Sequence, residues 1–151
     1  MSGECQVIQR TARWPRKAAL LVMLIIPLLL SDARGQEIQW LRSAEQAAAE
    51  AAQAGKPILV YVRSANCHYC DLMQTNVWQD QATADVVNRE FVPLKLTRED
   101  NPEAVKVLQI KGFPSTVIFS ADRQYVDRLD GYVEPQQFRA AVGKMHALSP
   151  R

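Results

Sequence analysis

The stretch ILVYVRSANCHYC, residues 58–70, joins an apolar run of strand length to two cysteines three positions apart. Residues 58–62 are continuously apolar and partly β-branched, which predicts a central strand covered on both faces. Cys67 and Cys70 follow at once, so we expect the first sulfur at the N-terminus of a helix and the second one turn inside it. Both thiols then lie close enough to join.

Residues 1–35 have the layout of a secretory signal peptide. Four basic residues, at positions 10, 13, 16 and 17, precede an apolar run over residues 18–30, and small residues stand at positions 33 and 35. The apolar run has 13 residues, whereas a membrane-spanning helix needs about 20. We therefore predict a periplasmic or secreted mature chain that starts at Gln36. Cleavage after Ala33, or an uncleaved signal that anchors the chain in a membrane, are the alternatives.

The predicted mature chain is close to neutral. The whole chain has 18 Lys and Arg and 16 Asp and Glu; residues 1–35 hold five of the first group and two of the second, which leaves 13 against 14. This balance gives no support to binding of nucleic acid or of an acidic membrane. The remaining 116 residues, 151 minus 35, suit a single domain over 36–151. Cys5 falls within the predicted signal.

Helical and strand patterns alternate along this domain. Helices are predicted for residues 43–54, for two pieces between 70 and 90, after residue 101 and from residue 135; further strands are predicted for residues 91–96, 115–120 and 124–132. Ser43 and Gln46 have the spacing of a capping box, Asn101 is a predicted N-cap, and Pro93 moves its strand towards an edge or a bulge. The order predicts an α/β fold, a mixed central sheet flanked by helices, with a parallel crossover in the first half and a hairpin in the second.

Cys67 is the predicted nucleophile and Cys70 the resolving thiol. The N-terminal end of a helix carries about half a positive charge, which favours a thiolate there. Two other uses of the pair compete with redox chemistry. A zinc site would need further ligands from His68 and His146, although structural zinc usually takes four ligands at regular spacing. A structural disulfide across so short a loop would constrain the unfolded chain little, so redox chemistry is the preferred interpretation.

Over about residues 40–145 the chain resembles the thioredoxin-like family, and within it the small exported members similar to the C-terminal periplasmic domain of the reductase DsbD. The resemblance rests on Gly-Lys-Pro at 55–57, on the cysteine motif at 67–70 and on Gly-Phe-Pro-Ser at 112–115. It implies a thioredoxin fold and a cis peptide bond before Pro114.

The resemblance also implies a function, a site and partners. The chain is expected to exchange disulfides with cysteine-containing exported proteins and with a membrane-bound thiol electron donor or acceptor. No organic cofactor is needed, because the two sulfurs carry the electrons, and we expect a monomer. His68 and Tyr69 are predicted to tune the redox pair or to contact substrate, and Phe113 and Pro114 to shape the substrate groove.

The chain departs from the family pattern around the motif. Tyr61 stands six positions before the first cysteine, where family members usually carry a buried aspartate that helps to take the proton from the resolving thiol. A phenol, with a pKa of about 10, is a poor base at neutral pH. Lys95 matches a lysine of the family but lacks its carboxylate partner, and Asp71 disfavours a nearby thiolate. A second interpretation therefore stays open, a non-catalytic binding or chaperone-like module with a fixed disulfide.

Overall fold

The computed structural model describes residues 37–149, in which a four-stranded mixed sheet is flanked by helices. The elements are, in chain order, α1 (Ala44–Ala54), β1 (Ile58–Arg63), α2 (His68–Leu72), a π-helical segment (Met73–Trp78), α3 (Gln81–Glu90), β2 (Val92–Thr97), α4 (Pro102–Val107), β3 (Ser115–Phe119), β4 (Tyr125–Asp130) and α5 (Pro135–Leu148). The predicted signal peptide, its cleavage site and Cys5 lie outside the described residues. Among residues 37–149, no helix combines the length and the apolar character that a membrane span requires.

The strand order β2-β1-β3-β4 puts β1 inside the sheet. β1 runs parallel to β2, with Ile58 opposite Val92, and antiparallel to β3, with Val62 opposite Ser115. β3 and β4 pair antiparallel, with Ser115 opposite Asp130, so the predicted parallel crossover and hairpin are both confirmed. β2 is an edge strand of the sheet, as Pro93 indicates. Its outer edge is partly covered, because the Leu41 N–H donates to the Pro93 carbonyl at 2.9 Å.

Apolar side chains cover both faces of the sheet. Alternate residues of β1 point to opposite faces, since the side-chain period of a strand is two. Leu59 and Tyr61 join one core with the π-helical segment, α3 and α5, and Ile58, Val60 and Val62 join a second core with α1 and β2. β1 is thus buried on both faces, as its unbroken apolar run predicts.

Two predicted helix caps differ in detail. The Ser43 hydroxyl accepts a hydrogen bond from the Gln46 N–H at 3.2 Å, but the Gln46 side chain donates to Glu50, so the reciprocal half of the capping box is missing. Asn101 holds the N-cap position of α4 without capping it, because its side chain accepts a hydrogen bond from the Thr97 N–H at 3.3 Å. In both cases another partner satisfies the side chain.

Two other features of the backbone differ from the sequence pattern. β4 ends at Asp130, two residues before the predicted end, because Gly131 takes a φ of +88° that interrupts the strand. The helix that begins after Cys67 continues as the π-helical segment Met73–Trp78, which the apolar spacing did not predict. Within this segment, the Thr75 hydroxyl donates to the Asp71 carbonyl at 2.9 Å.

Phe138 provides a test of the larger core. Its side chain is fully buried and meets Trp78 edge-on, with ring centroids 4.9 Å apart. We expect Phe138→Ala to lower the free energy of unfolding by about 3–5 kcal/mol, because the substitution leaves a cavity. Urea unfolding followed by circular dichroism measures the loss. Leu148→Ala, at an exposed position of the same helix, should change the free energy by less than about 0.5 kcal/mol; equal losses would contradict this core.

Candidate functional site

Cys67 and Cys70 lie where β1 gives way to the following helix. Cys67 is the N-cap of α2, and Cys70 lies one turn inside it. The turn between strand and helix is held by the loop after β2, since the Arg98 N–H donates to the Arg63 carbonyl at 2.8 Å and the Ala65 N–H donates to a carboxylate of that loop at 3.1 Å. The structure therefore places the motif at a helix N-terminus, as predicted.

The two sulfurs form a disulfide but differ in exposure. The S–S distance is 2.14 Å and the two Cα atoms are 5.2 Å apart. The Cys70 side chain is fully buried, whereas Cys67 is partly exposed. The Cys70 N–H also donates to the Cys67 Sγ at 3.2 Å, and a backbone donor at a helix N-terminus stabilises negative charge on sulfur. The arrangement makes Cys67 the sulfur that a second protein can reach.

The loop before β3 lies at the same edge of the sheet. The peptide bond between Phe113 and Pro114 is cis, as the resemblance implies. Ser115 pairs with Val62 at the end of β1, so Pro114 lies beside the turn that leads to the cysteines. The Phe113 ring is half-buried under the guanidinium of Arg98, 5.7 Å from the ring centroid. The structure thus brings the predicted groove residues to the edge that carries the motif.

His68 and Tyr69 lie exposed between the two cysteines. Their rings are 5.6 Å apart, and Tyr69 is 58% exposed. A large exposed aromatic beside a reactive sulfur is available to a binding partner. The proposed tuning of the redox pair by His68 stays a prediction.

The zinc alternative needs His146 near the cysteines. The His146 ring instead meets Phe91 edge-on, with centroids 5.5 Å apart. Within residues 37–149, no three or more His, Cys, Asp or Glu side chains gather into a group that could hold a metal ion.

Tyr61 occupies the place where the resemblance leads one to expect an acid. The side chain is fully buried, and its hydroxyl donates to the Cys70 carbonyl at 3.4 Å. The ring packs against Trp40 and Trp78, with centroids 5.7 and 5.0 Å away. Burial raises the pKa of the Tyr61 phenol further above neutrality. Tyr61 is therefore a hydrogen-bond donor at neutral pH and not a base.

Lys95 lies opposite Tyr61 in the register of β1 and β2. Its ammonium donates to the Gln74 Oε1 at 3.1 Å and lies 5.8 Å from the centroid of the Tyr61 ring. Burial lowers the pKa of Lys95, and the positive charges of Arg63 and Arg42 lower it further. The sequence pattern did not identify Gln74, because its place beside Lys95 depends on the π-helical segment.

Comparisons of the sequence with known proteins identify a family. A family model described as "Thioredox_DsbH: Protein of unknown function, DUF255" matches residues 21–124. Uncharacterized protein B0495.5 of Caenorhabditis elegans is 30% identical over 125 residues, which are 78% of this chain and 17% of that protein. Spermatogenesis-associated protein 20 of Homo sapiens is 30% identical over 81 residues, 54% of this chain and 10% of that protein. The chain therefore spans less than a fifth of these two relatives.

Solved structures show the same fold. A structure titled "DsbH Oxidoreductase" has a TM-score of 0.66 at 18% identity and covers 76% of this chain and 88% of its own. A thioredoxin from Thermus thermophilus has a TM-score of 0.65 at 24% identity, with 72% and 87% covered. The predicted thioredoxin fold is confirmed. The finer similarity to the C-terminal domain of DsbD is not confirmed by these comparisons.

The unequal exposure of the two cysteines predicts unequal reactivity. In the reduced chain carrying Cys5→Ser, we expect iodoacetamide at neutral pH to alkylate Cys67 at least about tenfold faster than Cys70, because Cys67 is the exposed sulfur at the helix N-terminus. Mass analysis of peptides from timed samples gives the two rates. Equal rates, or faster alkylation of Cys70, would contradict the assignment of Cys67 as the attacking thiol.

Proposed function

Since the chain belongs to the Thioredox_DsbH family, we propose that it is a thiol-disulfide oxidoreductase that exchanges disulfides with other proteins through Cys67 and Cys70. The observation that carries the proposal is the pairing of a partly exposed sulfur at a helix N-terminus with a fully buried sulfur one turn behind it. Exchange through a mixed disulfide needs one sulfur that a partner can reach and a second that stays close to the first.

In the direction that reduces a substrate, the Cys67 thiolate attacks one sulfur of the substrate disulfide. A mixed disulfide forms, and the other substrate sulfur leaves as a thiolate. Cys70 loses its proton to solvent and attacks the Cys67 Sγ; the internal disulfide forms while the bond from Cys67 to substrate breaks. Two electrons pass from the protein to the substrate. Oxidation of a substrate runs through the same steps in reverse.

The proposed substrates are cysteine-containing exported proteins. The signal-like pattern of residues 1–35 supports a periplasmic or secreted location, where disulfides form and persist. In this proposal a membrane-bound thiol donor or acceptor then resets the pair. The cis Phe113–Pro114 bond at the start of β3 and the exposed ring of Tyr69 support docking of an extended segment of the substrate next to Cys67.

Serine substitutions separate the roles of the two cysteines. We expect Cys67→Ser to reduce the rate of insulin disulfide reduction to the uncatalysed level, because no reachable thiolate is left. Cys70→Ser should instead accumulate a mixed disulfide with insulin, since the resolving sulfur is missing. Non-reducing electrophoresis and turbidity measure the two effects. In the full-length chain, which retains Cys5, Cys5→Ser is the matched control and should keep the full rate. Full activity of Cys67→Ser would refute the proposal.

Tyr61 and Asp71 favour a second candidate, a binding or chaperone-like module with a permanently oxidised pair. Neither residue supplies the base that the resolving step uses in the family, and the Asp71 carboxylate opposes a thiolate nearby. Titration in glutathione buffers separates the two functions. We expect a midpoint between about −270 and −120 mV, the range of exchange catalysts. A midpoint below about −300 mV, typical of structural disulfides, would favour the binding module.

A further inference from the structure

The loop that follows β2, residues 98–101, is fixed to the turn that leads from β1 to the cysteines. The Arg98 N–H donates to the Arg63 carbonyl at 2.8 Å, and the Glu99 carboxylate accepts a hydrogen bond from the Ala65 N–H at 3.1 Å. The backbone of Arg98 therefore has a set position beside this turn, although its side chain is exposed. The proposed function gives this exposed side chain no role.

The Arg98 guanidinium also contacts the loop before β3. It lies over the ring of Phe113, 5.7 Å from the ring centroid, and Phe113 is the residue before the cis Pro114. A cation at this distance is attracted to the aromatic face, which limits the positions that the long arginine side chain adopts. Arg98 thus links the turn before Cys67 with the loop of Pro114, the two segments beside which the substrate is proposed to dock.

Much of the hydrogen-bonding capacity of Arg98 is still available. Within residues 37–149 its ion pair is with Glu99, through a single nitrogen, with 3.3 Å between Nη2 and Oε1. The same Oε1 accepts from the Ala65 N–H, a bond that lowers the pKa of Glu99 and holds the carboxylate against the turn. A guanidinium carries five N–H donors, and the Arg98 side chain is 56% exposed. Its other donors can therefore receive an acceptor from a substrate.

The remaining acids of this loop and of α2 already have donors within the protein. Asp100 accepts a hydrogen bond from a threonine hydroxyl at 2.6 Å, and Asp71 pairs with Arg63 at 3.2 Å. Lys111, two residues before Phe113, is an exposed cation of the loop before β3. A charged group of a substrate that docks here therefore meets the guanidinium of Arg98 rather than a free carboxylate of the loop.

We propose that Arg98 is a specificity-determining residue, which favours substrates that carry a carboxylate side chain next to the disulfide that Cys67 attacks. The inference deepens the proposed function and rests on it. The guanidinium binds the substrate carboxylate while disulfide exchange at Cys67 follows the steps already given, so no further reactant is needed. A lysine at the same place in the substrate is disfavoured, because it brings a second cation to Arg98.

Arginine suits this task because its planar fork matches the two oxygens of a carboxylate. The contact with Phe113 and the fixed backbone reduce the conformational freedom that Arg98 loses when it binds. An exposed ion pair is worth a factor of about two to five in an equilibrium or a rate, and salt screens it. We therefore expect a preference of this size, which decreases as the ionic strength rises.

The test compares matched substrates in a single turnover. The probes are three short peptides that differ only in the residue next to their single cysteine, Glu, Gln or Lys, each joined to a second copy of itself by a disulfide. The full chain carrying Cys5→Ser is reduced, freed of reductant and mixed with each probe, and acid-quenched samples give the rate at which peptide thiol is released. Each rate is divided by the rate of the same probe with dithiothreitol, which removes the intrinsic reactivity of the peptide. We expect the Glu probe to react about two- to fivefold faster than the Gln probe, and the Lys probe to be the slowest.

Three variants assign the preference to the charge of Arg98. Arg98→Gln should bring the ratio of the Glu and Gln rates close to one, and Arg98→Glu should reverse the order of the probes, which a merely structural loss would not do. Arg89→Gln is the matched control and should keep the ratio. Arg89 also pairs with the glutamate that follows it, at 2.7 Å, but it lies at the end of α3, which leads into the other end of β2.

The outcomes separate this inference from the proposed function. Equal corrected rates for the Glu and Gln probes, an unchanged ratio in Arg98→Gln, or the same loss of preference in Arg89→Gln would overturn the role of Arg98 while exchange at Cys67 still proceeds. If the chain releases no peptide thiol from any of the three probes, the proposed function fails and the inference fails with it.

Discussion

β1 is hydrogen-bonded along both edges and buried on both faces, and this constraint sets the position of the cysteine pair. A strand fixed in this way has no freedom to slip, because a shift of one residue would exchange its two buried faces. The chain therefore leaves the sheet at Arg63 and reaches the helix N-terminus four residues later, at Cys67. β3, which pairs antiparallel with the same strand, begins beside the same turn, so Pro114 lies there as well.

Much of this arrangement is encoded in short stretches of sequence. The unbroken apolar run of residues 58–62 identifies a strand buried on both faces, since a half-exposed strand would alternate. Gly55 with a following proline ends α1, and its positive φ of 63° explains why glycine is found there. The motif at 67–70 needs a helix N-terminus for its chemistry and has one. Each of these features depends on local backbone preferences or on a strict period, both of which a sequence displays.

The parts that escaped prediction depend on which of several partners a side chain contacts, whether that partner is distant or in the same helix. The π-helical segment has no distinct spacing of apolar residues, and within it Gln74 accepts a hydrogen bond from Lys95, 21 residues away. The missing half of the capping box has a similar cause, because Gln46 has Glu50 as a competing partner within the same helix. A pattern in the sequence shows which partners are available, but the packed structure decides which one is used.

Tyr61 shows how one buried position can serve stability and chemistry in opposite ways. A carboxylate there would require an ionic or hydrogen-bonding partner to offset its burial. The phenol instead packs edge-on against Trp78 and next to Trp40, contacts that stabilise the core beneath the helix. Among residues 37–149, the same choice leaves the neighbouring ammonium of Lys95 with the neutral amide of Gln74 as its hydrogen-bond partner. An acid at position 61 would pair with that ammonium and act as a base, whereas the buried phenol, whose pKa is raised, does neither at neutral pH.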